Sequence, residues 1–526
     1  MRPANQRSSS VLAVALICCT IVYGLSRAAL MITSYEGHDQ AWYLIAAERV
    51  LGGAQLYGPY VSDSNPPMVV WFSMLPVLLS HLLPLPLLAW LRVVVVCLVV
   101  ASAVWCVRML RWMPEAQPRF VRAAVFLAIV YTLLRVVPRD FGQREHLFVI
   151  LSLPYLFALG TGAMDRLTTT ERCALGVMAG VAVCFKPPHA LALVGAEIVI
   201  AISRRSLRRI LSPEVLMMVA TCGVYVLAIR MITPAYTKRR VPVLLDTYWA
   251  YGTSTALGLL SGVKLRLLVA AMLLILALTV RRGRTLSPMA AVMAAASVGA
   301  FLAYVQQGTD WSYHRLPSSA FLILAALLLL MGQALSYLVL WDGYQMNRRM
   351  AVACCAFAAM IGAAFFPIDA SRPKTQDSDV REFLAAQKVP GTVLVLSTTV
   401  WYVGDALDLH WQWGGSYPCL PFLPAIVLNE QGLHGEKRPF KQLSPERLAF
   451  ISRLQRRVIA EDLNHFKPAL VMVEHCDKDH DCPLIEGRTF DSLAWFRQDD
   501  EFAQAWSAYQ KQSEEVRFFD VYRRTP

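Results

Sequence analysis

Long apolar runs alternate with short polar segments through roughly the first 370 residues of the chain. An apolar run of about 20 residues is long enough for a helix to cross the hydrocarbon core of a bilayer. The pattern predicts eleven membrane-spanning helices, at residues 11–32, 87–107, 121–137, 147–164, 173–185, 190–202, 215–232, 265–280, 289–305, 320–341 and 351–366. The first has Arg2 and Arg7 ahead of it, which predicts an uncleaved anchor whose N-terminus is cytosolic.

Two apolar stretches admit more than one interpretation. Residues 66–83 are short for a span and begin with Pro66-Pro67, so we predict a helix that lies beside the membrane. Residues 173–202 are interrupted by Lys186-Pro187-Pro188 and make either one kinked span or a hairpin of two short spans. With the hairpin, the positive-inside rule is satisfied, because the arginine clusters all face the cytosol, at residues 108–122, 166–172, 204–209, 281–284 and 348–349.

The composition excludes several classes of protein. Apolar residues make up 56% of the chain and charged residues only 17%, which rules out a set of soluble domains and a disordered or collagen-like chain. The net charge of +13 comes mostly from arginine between apolar runs, so we expect no nucleic-acid partner. We expect a multi-pass protein of a bacterial inner membrane, with outward-facing loops at residues 33–86, 138–146, 186–189, 233–264 and 306–317.

After residue 368 the chain has the composition of a soluble domain. Apolar runs typical of buried strands alternate there with helical stretches, at residues 392–396, 445–463, 469–473 and 499–512. The pattern predicts a polytopic α-helical membrane domain over residues 1–368 and a small α/β domain over residues 369–526. The eleventh span leaves the chain outside, so we place the α/β domain on the outer face of the membrane, in the periplasm.

The first outer loop carries a carboxylate among aromatic residues, directly after the first span. A carboxylate at the membrane surface lies in an intermediate dielectric, where it can accept a proton from a hydroxyl nucleophile. Asp39 is therefore a candidate catalytic base, and His38, Tyr43 and Asn65 are candidate substrate-lining residues. The alternative is a solvated Asp39 beside an interfacial belt of aromatic residues.

The second outer loop packs five ionisable residues into eight positions, at Arg139, Asp140, Arg144, Glu145 and His146. Ionisable groups between two apolar spans are costly to bury, so we expect them to be paired or functional. Asp140 and Glu145 are further candidate catalytic carboxylates, and Arg144 and His146 are candidate ligands of a donor phosphate. The alternative is a set of salt bridges that anchors the helix ends, and both roles can hold together.

Further cations lie on the other outer loops. Lys186 interrupts an apolar stretch, and a broken helix with a cation at its turn lines a cavity more readily than it faces lipid. We assign donor-phosphate binding to Lys186, Lys238, Arg239, Arg240, His314 and Arg315, and substrate lining to Tyr248 and Tyr313. Contact with lipid headgroups is the alternative for each cation.

Cys476 and Cys482 enclose the polar segment Asp477-Lys478-Asp479-His480-Asp481. Because an outer compartment oxidises thiols, we predict a disulfide between the two cysteines rather than a metal site. The acidic residues between them leave calcium binding as an alternative.

The order and sidedness of these motifs resemble the GT-C class of integral-membrane glycosyltransferases, in the branch of the protein O-mannosyltransferases and the lipid A aminoarabinose transferase. That family has an acidic motif in the first outer loop, a small-residue helix, a Gly-containing turn and a Pro-Pro helix, which correspond here to residues 37–40, 46–53, 57–58 and 65–67. The resemblance implies that Asp39 is the base and that a second acidic position falls at Asp140 or Glu145. Asn65 stands where some members have a phosphate-binding lysine, a task that Lys186, Arg144 or the Lys238–Arg240 cluster can take.

The activity that this resemblance implies is transfer of a sugar from a polyprenyl-phosphate donor to an envelope glycan, lipid or protein acceptor. Such a transfer requires no cofactor, and a divalent cation is compatible with it. Two alternatives stay open: a transporter or flippase of lipid-linked sugars, and a non-catalytic protein of envelope assembly. Two inverted halves with paired interrupted helices would favour a transporter, whereas the sequence has one interruption and no matching partner.

Overall fold

The computed structural model describes residues 3–34, 37–113, 116, 118–206, 208–252, 255, 258–259, 269, 272, 286–340, 378–433, 435, 438–514 and 516–525. The described residues between 3 and 340 are mostly helical and are called the membrane part below. The α-helices described there are α1 (Pro3–Thr33), α2 (Asp39–Leu51), α3 (Met68–Ser80), α4 (Leu87–Met109), α5 (Arg119–Leu134), α6 (Arg144–Gly160), α7 (Thr169–Phe185), α8 (Ala190–Arg204), α9 (Pro213–Ile232), α10 (Val241–Thr247), α11 (Ser287–Gln307) and α12 (Ser312–Leu340).

Several of these helices have the length and the exposed apolar surface that a membrane-spanning helix requires. Among the described residues, five helices are long and apolar enough to cross a membrane: Ser10–Thr33, Leu87–Trp112, Pro213–Ile232, Pro288–Gln307 and Ser312–Gly332. On α9, the side chains of Val219, Val224 and Leu227 are all more than half exposed. A continuous apolar surface of this kind is stable against lipid rather than against water.

Only some of the eleven predicted spans can be compared with described helices. The predicted spans at 121–137, 147–164, 173–185 and 190–202 correspond to α5, α6, α7 and α8, which are 15 to 17 residues long. Of the predicted span at 265–280 only residues 269 and 272 are described, and the predicted span at 351–366 and the domain boundary at residue 368 lie outside the described residues. The number of spans therefore stays a prediction.

The two ambiguous apolar stretches are resolved. Residues 66–83 contain α3, whose 13 residues reach only about 20 Å and cannot cross a bilayer. Residues 173–202 form two helices, α7 and α8, joined by Lys186 and the 3₁₀ turn Pro187–His189. The helix stops here because two consecutive prolines cannot donate backbone hydrogen bonds to the preceding turn.

Glycines let the helices around this turn pack closely. A Cβ atom on Gly299 of α11 would lie 2.0 Å from the carbonyl oxygen of Leu191 in α8. A Cβ atom on Gly176 of α7 would lie 2.2 Å from the carbonyl oxygen of Glu214 in α9. Small residues at such crossings bring backbones together where lipid supplies no hydrophobic driving force. The two contacts fix α7 and α8, and with them the turn between them.

The rest of the described chain is an α/β domain. Its helices are α13 (Ser378–Ala386), α14 (Tyr402–Asp408), α15 (Leu423–Gln431), α16 (Pro445–Phe466), α17 (Ser492–Phe496) and α18 (Asp500–Trp506). Its strands are β1 (Thr392–Leu396), β2 (Gln412–Trp413), β3 (Leu470–Glu474), β4 (Tyr509–Lys511) and β5 (Phe519–Arg524). The sheet order is β2-β1-β3-β5-β4, with β2, β1 and β3 parallel and the last two strands antiparallel.

The predicted elements of this domain are mostly confirmed. The predicted strands are β1 and β3, both largely buried, and the predicted helix at 445–463 is α16. The predicted helix at 499–512 is wrong in its second half, because α18 ends at Trp506 and residues 509–511 form β4. The backbone of β4 pairs with β5, and this long-range pairing overrides the local helical pattern.

The α/β domain rests on loops at one end of the helices, called the domain-facing loops here (residues 37–38, 52–67, 135–143, 233–252 and 308–311). Arg49 of α2 donates hydrogen bonds to the carbonyl oxygens of Trp413, the last residue of β2, and of Gly415 just after it. Asp246 lies 2.7 Å from Lys441 Nζ and 2.6 Å from Arg447 Nε. These contacts bring the carboxyl ends of the parallel strands toward the membrane part.

Candidate active site

The α/β domain, the domain-facing loops and the first turns of α2, α6 and α12 enclose a cavity of about 460 Å³. Its lining residues fall within 38–43, 63–65, 139–144, 248–251 and 310–315 of the membrane part, and within 398–401, 417–421 and 483–484 of the α/β domain. A concave site with aromatic walls and a few convergent polar groups is the usual form of a small-molecule site.

Asp39 begins α2 and lines this cavity. Its Oδ1 atom lies 3.3 Å from His38 Nδ1, and its Oδ2 atom lies 4.0 Å from Arg144 Nη2. Burial acts to raise the pKa of the Asp39 carboxyl, but His38 and Arg144 outweigh it and hold this pKa below its ordinary value. Asp39 is therefore an ionised carboxylate at neutral pH, as a general base must be.

Arg144 begins α6 and is 5% exposed, at the wall of the cavity. It donates a hydrogen bond to Asn65 Oδ1, and Asn65 Nδ2 in turn donates to the Tyr43 hydroxyl at 3.2 Å and to Asp63 Oδ1 at 2.7 Å. Burial raises the pKa of Asp63 to about 6. This chain of hydrogen bonds fixes the orientation of the Arg144 guanidinium beside Asp39.

Asp140 also reaches the cavity, from the turn before α6. Its Oδ2 atom accepts a hydrogen bond of 2.9 Å from the Ser312 hydroxyl, and its Oδ1 atom lies 4.0 Å from Arg139 Nε. Burial raises the pKa of the Asp140 carboxyl. Asp140 is thus a further carboxyl group on the cavity wall, beside those of Asp39 and Asp63.

Glu145 is not among the cavity-lining residues. Its Oε1 atom lies 2.7 Å from Lys186 Nζ and 3.4 Å from His314 Nε2, and all three side chains are buried. The other ring nitrogen of His314 contacts the Thr309 hydroxyl. The three ionisable side chains make a closed cluster that joins the turn between α7 and α8 to the starts of α6 and α12. The predicted catalytic role of Glu145 and the predicted phosphate-binding roles of Lys186 and His314 stay predictions, without direct access to the cavity.

His146 lies away from the cavity, although phosphate binding was predicted for it. Its ring is fully buried, its Nδ1 atom accepts from the Gly142 amide at 3.1 Å, and its Nε2 atom lies 2.8 Å from the Leu133 carbonyl oxygen. Both ring nitrogens are therefore engaged with backbone atoms. By contrast, besides Asp39, Asp140 and Arg144, six predicted residues line the cavity: His38, Tyr43, Asn65, Tyr248, Tyr313 and Arg315.

The predicted cationic cluster at 238–240 is also outside the cavity lining. Lys238 and Arg239 are exposed on a π-helical turn, Tyr236–Arg240. Arg240 is half-buried, and its Cζ atom lies 5.0 Å from the ring centre of Tyr417, a lining residue of the α/β domain. Of this cluster, Arg240 alone has a described contact with a residue of the cavity wall.

Several lining residues were not predicted from the sequence. Asp63, Tyr251 and Trp311 belong to loops that are predicted to face outward, and the density of aromatic residues in 248–251 and 311–313 is the signal in the sequence that points to the last two. Trp401 and Tyr417 gave no such signal, because nothing local places these residues of the α/β domain over a membrane-part cavity.

Among the described residues, one group of potential metal ligands lies close together: Glu474, His480 and Cys482, with ligand atoms within 4.8 Å of one another. The sulfur of Cys482 is bonded to Cys476, which confirms the predicted disulfide. His480 Nε2 lies 3.1 Å from Glu474 Oε1. The cluster is therefore a buried polar pair beside a disulfide.

A comparison with solved structures bears on the fold. No family model matches the chain, and no curated protein sequence matches it. The chain is similar to the crystal structure of ArnT from Cupriavidus metallidurans bound to undecaprenyl phosphate, with a TM-score of 0.50 and 12% identity over 96% of this chain and 97% of ArnT. The archaeal oligosaccharyltransferase AglB from Archaeoglobus fulgidus, in complex with an inhibitory peptide and a dolichol-phosphate, aligns with a TM-score of 0.45 and 11% identity over 98% of this chain and 74% of AglB. The likeness to ArnT, the lipid A aminoarabinose transferase, shows that this chain has the GT-C fold, as the order of its motifs predicts.

Proposed function

We propose that this chain is a glycosyltransferase that moves a sugar from a polyprenyl-phosphate donor to a hydroxyl of an envelope glycan, lipid or protein. The observation that carries the proposal is the placement of the Asp39 carboxylate and the Arg144 guanidinium, 4.0 Å apart, on one cavity at the end of apolar helices. A base and a phosphate-binding cation are the two groups that this transfer needs side by side. The fold shared with ArnT, which was solved with undecaprenyl phosphate, supports the choice of donor.

In the proposed reaction, an acceptor hydroxyl attacks the anomeric carbon of the donor sugar. The hydroxyl proton passes to the Asp39 carboxylate as the new bond between acceptor oxygen and anomeric carbon forms. The bond between the anomeric carbon and the phosphate oxygen breaks, and its electron pair leaves with the polyprenyl phosphate. The step consumes no cofactor, and a divalent cation is compatible with it.

The departing phosphate gains negative charge and needs donors at a fixed position. Arg144 is suited to this task, because Asn65 orients it and a planar guanidinium matches a phosphate with two parallel hydrogen bonds. Arg139 and Arg315 also line the cavity and are partly exposed. We assign Lys186 a supporting role, because its ammonium group is held by Glu145.

We place the protein in the cell inner membrane, with the α/β domain in the periplasm. Arginines gather at the helix ends remote from the cavity, where Arg108 lies 2.5 Å from Glu171 and Arg204 lies 2.8 Å from Asp165. Arginine-rich helix ends face the cytosol under the positive-inside rule. On this orientation, the cavity opens on the outer side, where the donor phosphate would lie.

The test uses the full chain purified in detergent and supplied with polyprenyl-phosphate hexoses and pentoses, with release of polyprenyl phosphate as the readout. We expect turnover that Arg144→Met lowers by roughly a hundredfold or more, because a donor aimed at developing charge is lost. Arg204→Met, at the opposite helix ends, is the matched control and should leave turnover unchanged. Turnover of nucleotide sugars in place of polyprenyl-phosphate sugars would contradict the proposal.

A further inference from the structure

The two halves of the cavity wall differ sharply in charge. All the Asp, Glu, Lys, Arg and His side chains on the described wall come from the membrane part, among them Asp39, Asp140 and Arg144. The α/β domain contributes only hydroxyl, aromatic, aliphatic, proline and thiol side chains to the wall. Burial raises the pKa of the one thiol, Cys419, so this group is neutral as well. The lining residues of the membrane part are called the charged floor below, and those of the α/β domain (within 398–401, 417–421 and 483–484) are called the uncharged roof. The two surfaces suit two different parts of a ligand.

The uncharged roof consists of the loops that follow the three parallel strands. Thr398, Thr399 and Trp401 follow β1, the segment beginning at Tyr417 follows β2, and Pro483 and Leu484 lie in the connection after β3. In open α/β sheets, ligands bind beyond the carboxyl ends of parallel strands, because the loops there converge. In this chain, that binding edge faces the cavity.

The three loops are tied to one another. The amide of Leu420 donates to the carbonyl oxygen of Ser397 at 2.8 Å, which joins the loops after β2 and β1. The Thr398 hydroxyl donates to the carbonyl oxygen of Pro483 at 2.8 Å, and the Cys476–Cys482 disulfide constrains the chain directly before it. A surface held this way loses little conformational entropy when a ligand binds, which is a property of preformed sites.

Aromatic rings are available on both sides of the roofed space. Trp401 and Tyr417 reach it from the α/β domain, and Tyr251 and Trp311 reach it from the membrane part with their ring centres 6.0 Å apart at a steep angle. The face of an aromatic ring carries negative charge density that attracts the polarised C–H groups of a sugar ring, while hydroxyl-bearing neighbours can bond its hydroxyl groups. The cations that bind a phosphate or carboxylate most strongly, arginine and lysine, are absent from the part of the described wall that the α/β domain contributes.

Resting on the proposed transferase function, we infer that the three carboxyl-edge loops form the acceptor subsite and that the acceptor bound there is a neutral carbohydrate. The sugar ring of the acceptor stacks on Trp401, and its reacting hydroxyl points toward Asp39 on the charged floor. The donor phosphate occupies the floor beside Arg144.

The experiment measures equilibrium binding to the full-length protein in detergent, with donor turnover recorded in parallel. The probes are neutral oligosaccharides of hexoses and of N-acetylhexosamines, a phosphorylated glycolipid (lipid A) and a serine- and threonine-rich peptide. We expect a neutral oligosaccharide to bind, and Trp401→Ala to weaken its binding about tenfold, which corresponds to about 1.4 kcal/mol. Trp401→Phe, which keeps an aromatic face, should stay within about threefold of the wild type. Phe450→Ala removes an aromatic side chain that is 44% exposed outside the cavity and should have no effect.

The outcomes separate the inference from the function on which it rests. Tighter binding of the phosphorylated glycolipid or of the peptide, unaffected by Trp401→Ala, would overturn the neutral-carbohydrate inference. Absence of binding to every neutral probe while donor turnover persists would also overturn it and leave the transferase function standing. Neutral binding that depends on Trp401, in a protein that turns over no donor, would uphold the subsite and refute the proposed transferase.

Discussion

Two carboxylates on the same cavity wall, Asp39 and Asp63, have opposite surroundings. His38 and Arg144 hold the pKa of Asp39 low against the effect of burial, whereas burial raises the pKa of Asp63 to about 6. Environments that push two pKa values apart assign different roles to otherwise identical groups. Asp39 is ionised and available as a base, and Asp63 accepts the hydrogen bonds that position Asn65.

The raised pKa of Asp63 predicts a pH dependence. Below about pH 6 this carboxyl takes up a proton, and its hydrogen bonds to Asn65 weaken because the acceptor loses its charge. Asp39 stays ionised there, because its pKa lies below the ordinary value. We expect the turnover number to fall severalfold on the acid side with a midpoint near pH 6, and Asp63→Asn to remove this midpoint. Rates measured from about pH 5 to about pH 8 provide the test, and an identical acid limb in both proteins would contradict it.

Single site residues can be predicted from the sequence only where an ionisable side chain stands at the end of an apolar run. Asp39, Asp140 and Arg144 could be predicted, because ionisable side chains at the ends of apolar runs are rare and costly. The sequence does not predict that Glu145 pairs with Lys186 or that the ring of His146 bonds to the backbone. These contacts depend on how α6 packs against α7 and α12. Trp401 could not be placed at all without the position of its whole domain.

At the scale of elements, helix crossings through glycine hold the loops that carry the site. Gly299 and Gly223 make a matched pair: both lie in apolar helices, but a Cβ on Gly299 would meet Leu191 O at 2.0 Å, whereas a Cβ on Gly223 would have no atom within 4 Å.

The two glycines therefore predict opposite effects for the same substitution. Alanine is favoured over glycine in a helix by about 1 kcal/mol, so Gly223→Ala should leave the thermal midpoint in detergent unchanged or raise it. Gly299→Ala should lower the midpoint, because α8 and α11 must separate and overpacking costs about 1–3 kcal/mol. An equal shift in both variants, measured by thermal unfolding of the purified proteins, would show that the crossing contributes nothing to stability.

The elements themselves were largely predictable, and the exceptions have physical causes. Apolar run length and the Pro187-Pro188 break predict the paired helices α7 and α8, and buried apolar runs predict β1 and β3. The strand β4 was not predictable from its own residues, since Tyr509–Lys511 becomes a strand by pairing with β5. The local sequence pattern determines the secondary structure of long apolar elements, whereas pairing with a distant strand determines that of short edge strands.

At the scale of the whole molecule, the site exists because two parts of the chain close on one another. Arg49 donates to backbone carbonyls at the end of β2, and a Cβ atom on Gly404 near the start of α14 would lie 3.2 Å from the backbone of Gly37 in the acidic motif. The floor then supplies charge, and the roof supplies neutral stacking and hydroxyl groups. This division arises because the α/β domain packs on the membrane part. The sequence alone could therefore predict the residues of the floor but not those of the roof.

The most direct test of the account compares Asp39→Asn with Glu48→Gln, an exposed carboxylate on the same helix that does not line the cavity. Each purified protein is checked for an unchanged thermal midpoint, and transfer of a labelled sugar from polyprenyl phosphate to acceptor is then measured. We predict that Asp39→Asn loses transfer by at least about a hundredfold, the lower range of a general-base contribution, while Glu48→Gln transfers at the wild-type rate. Equal transfer by a folded Asp39→Asn protein would contradict the assignment of Asp39 as the base.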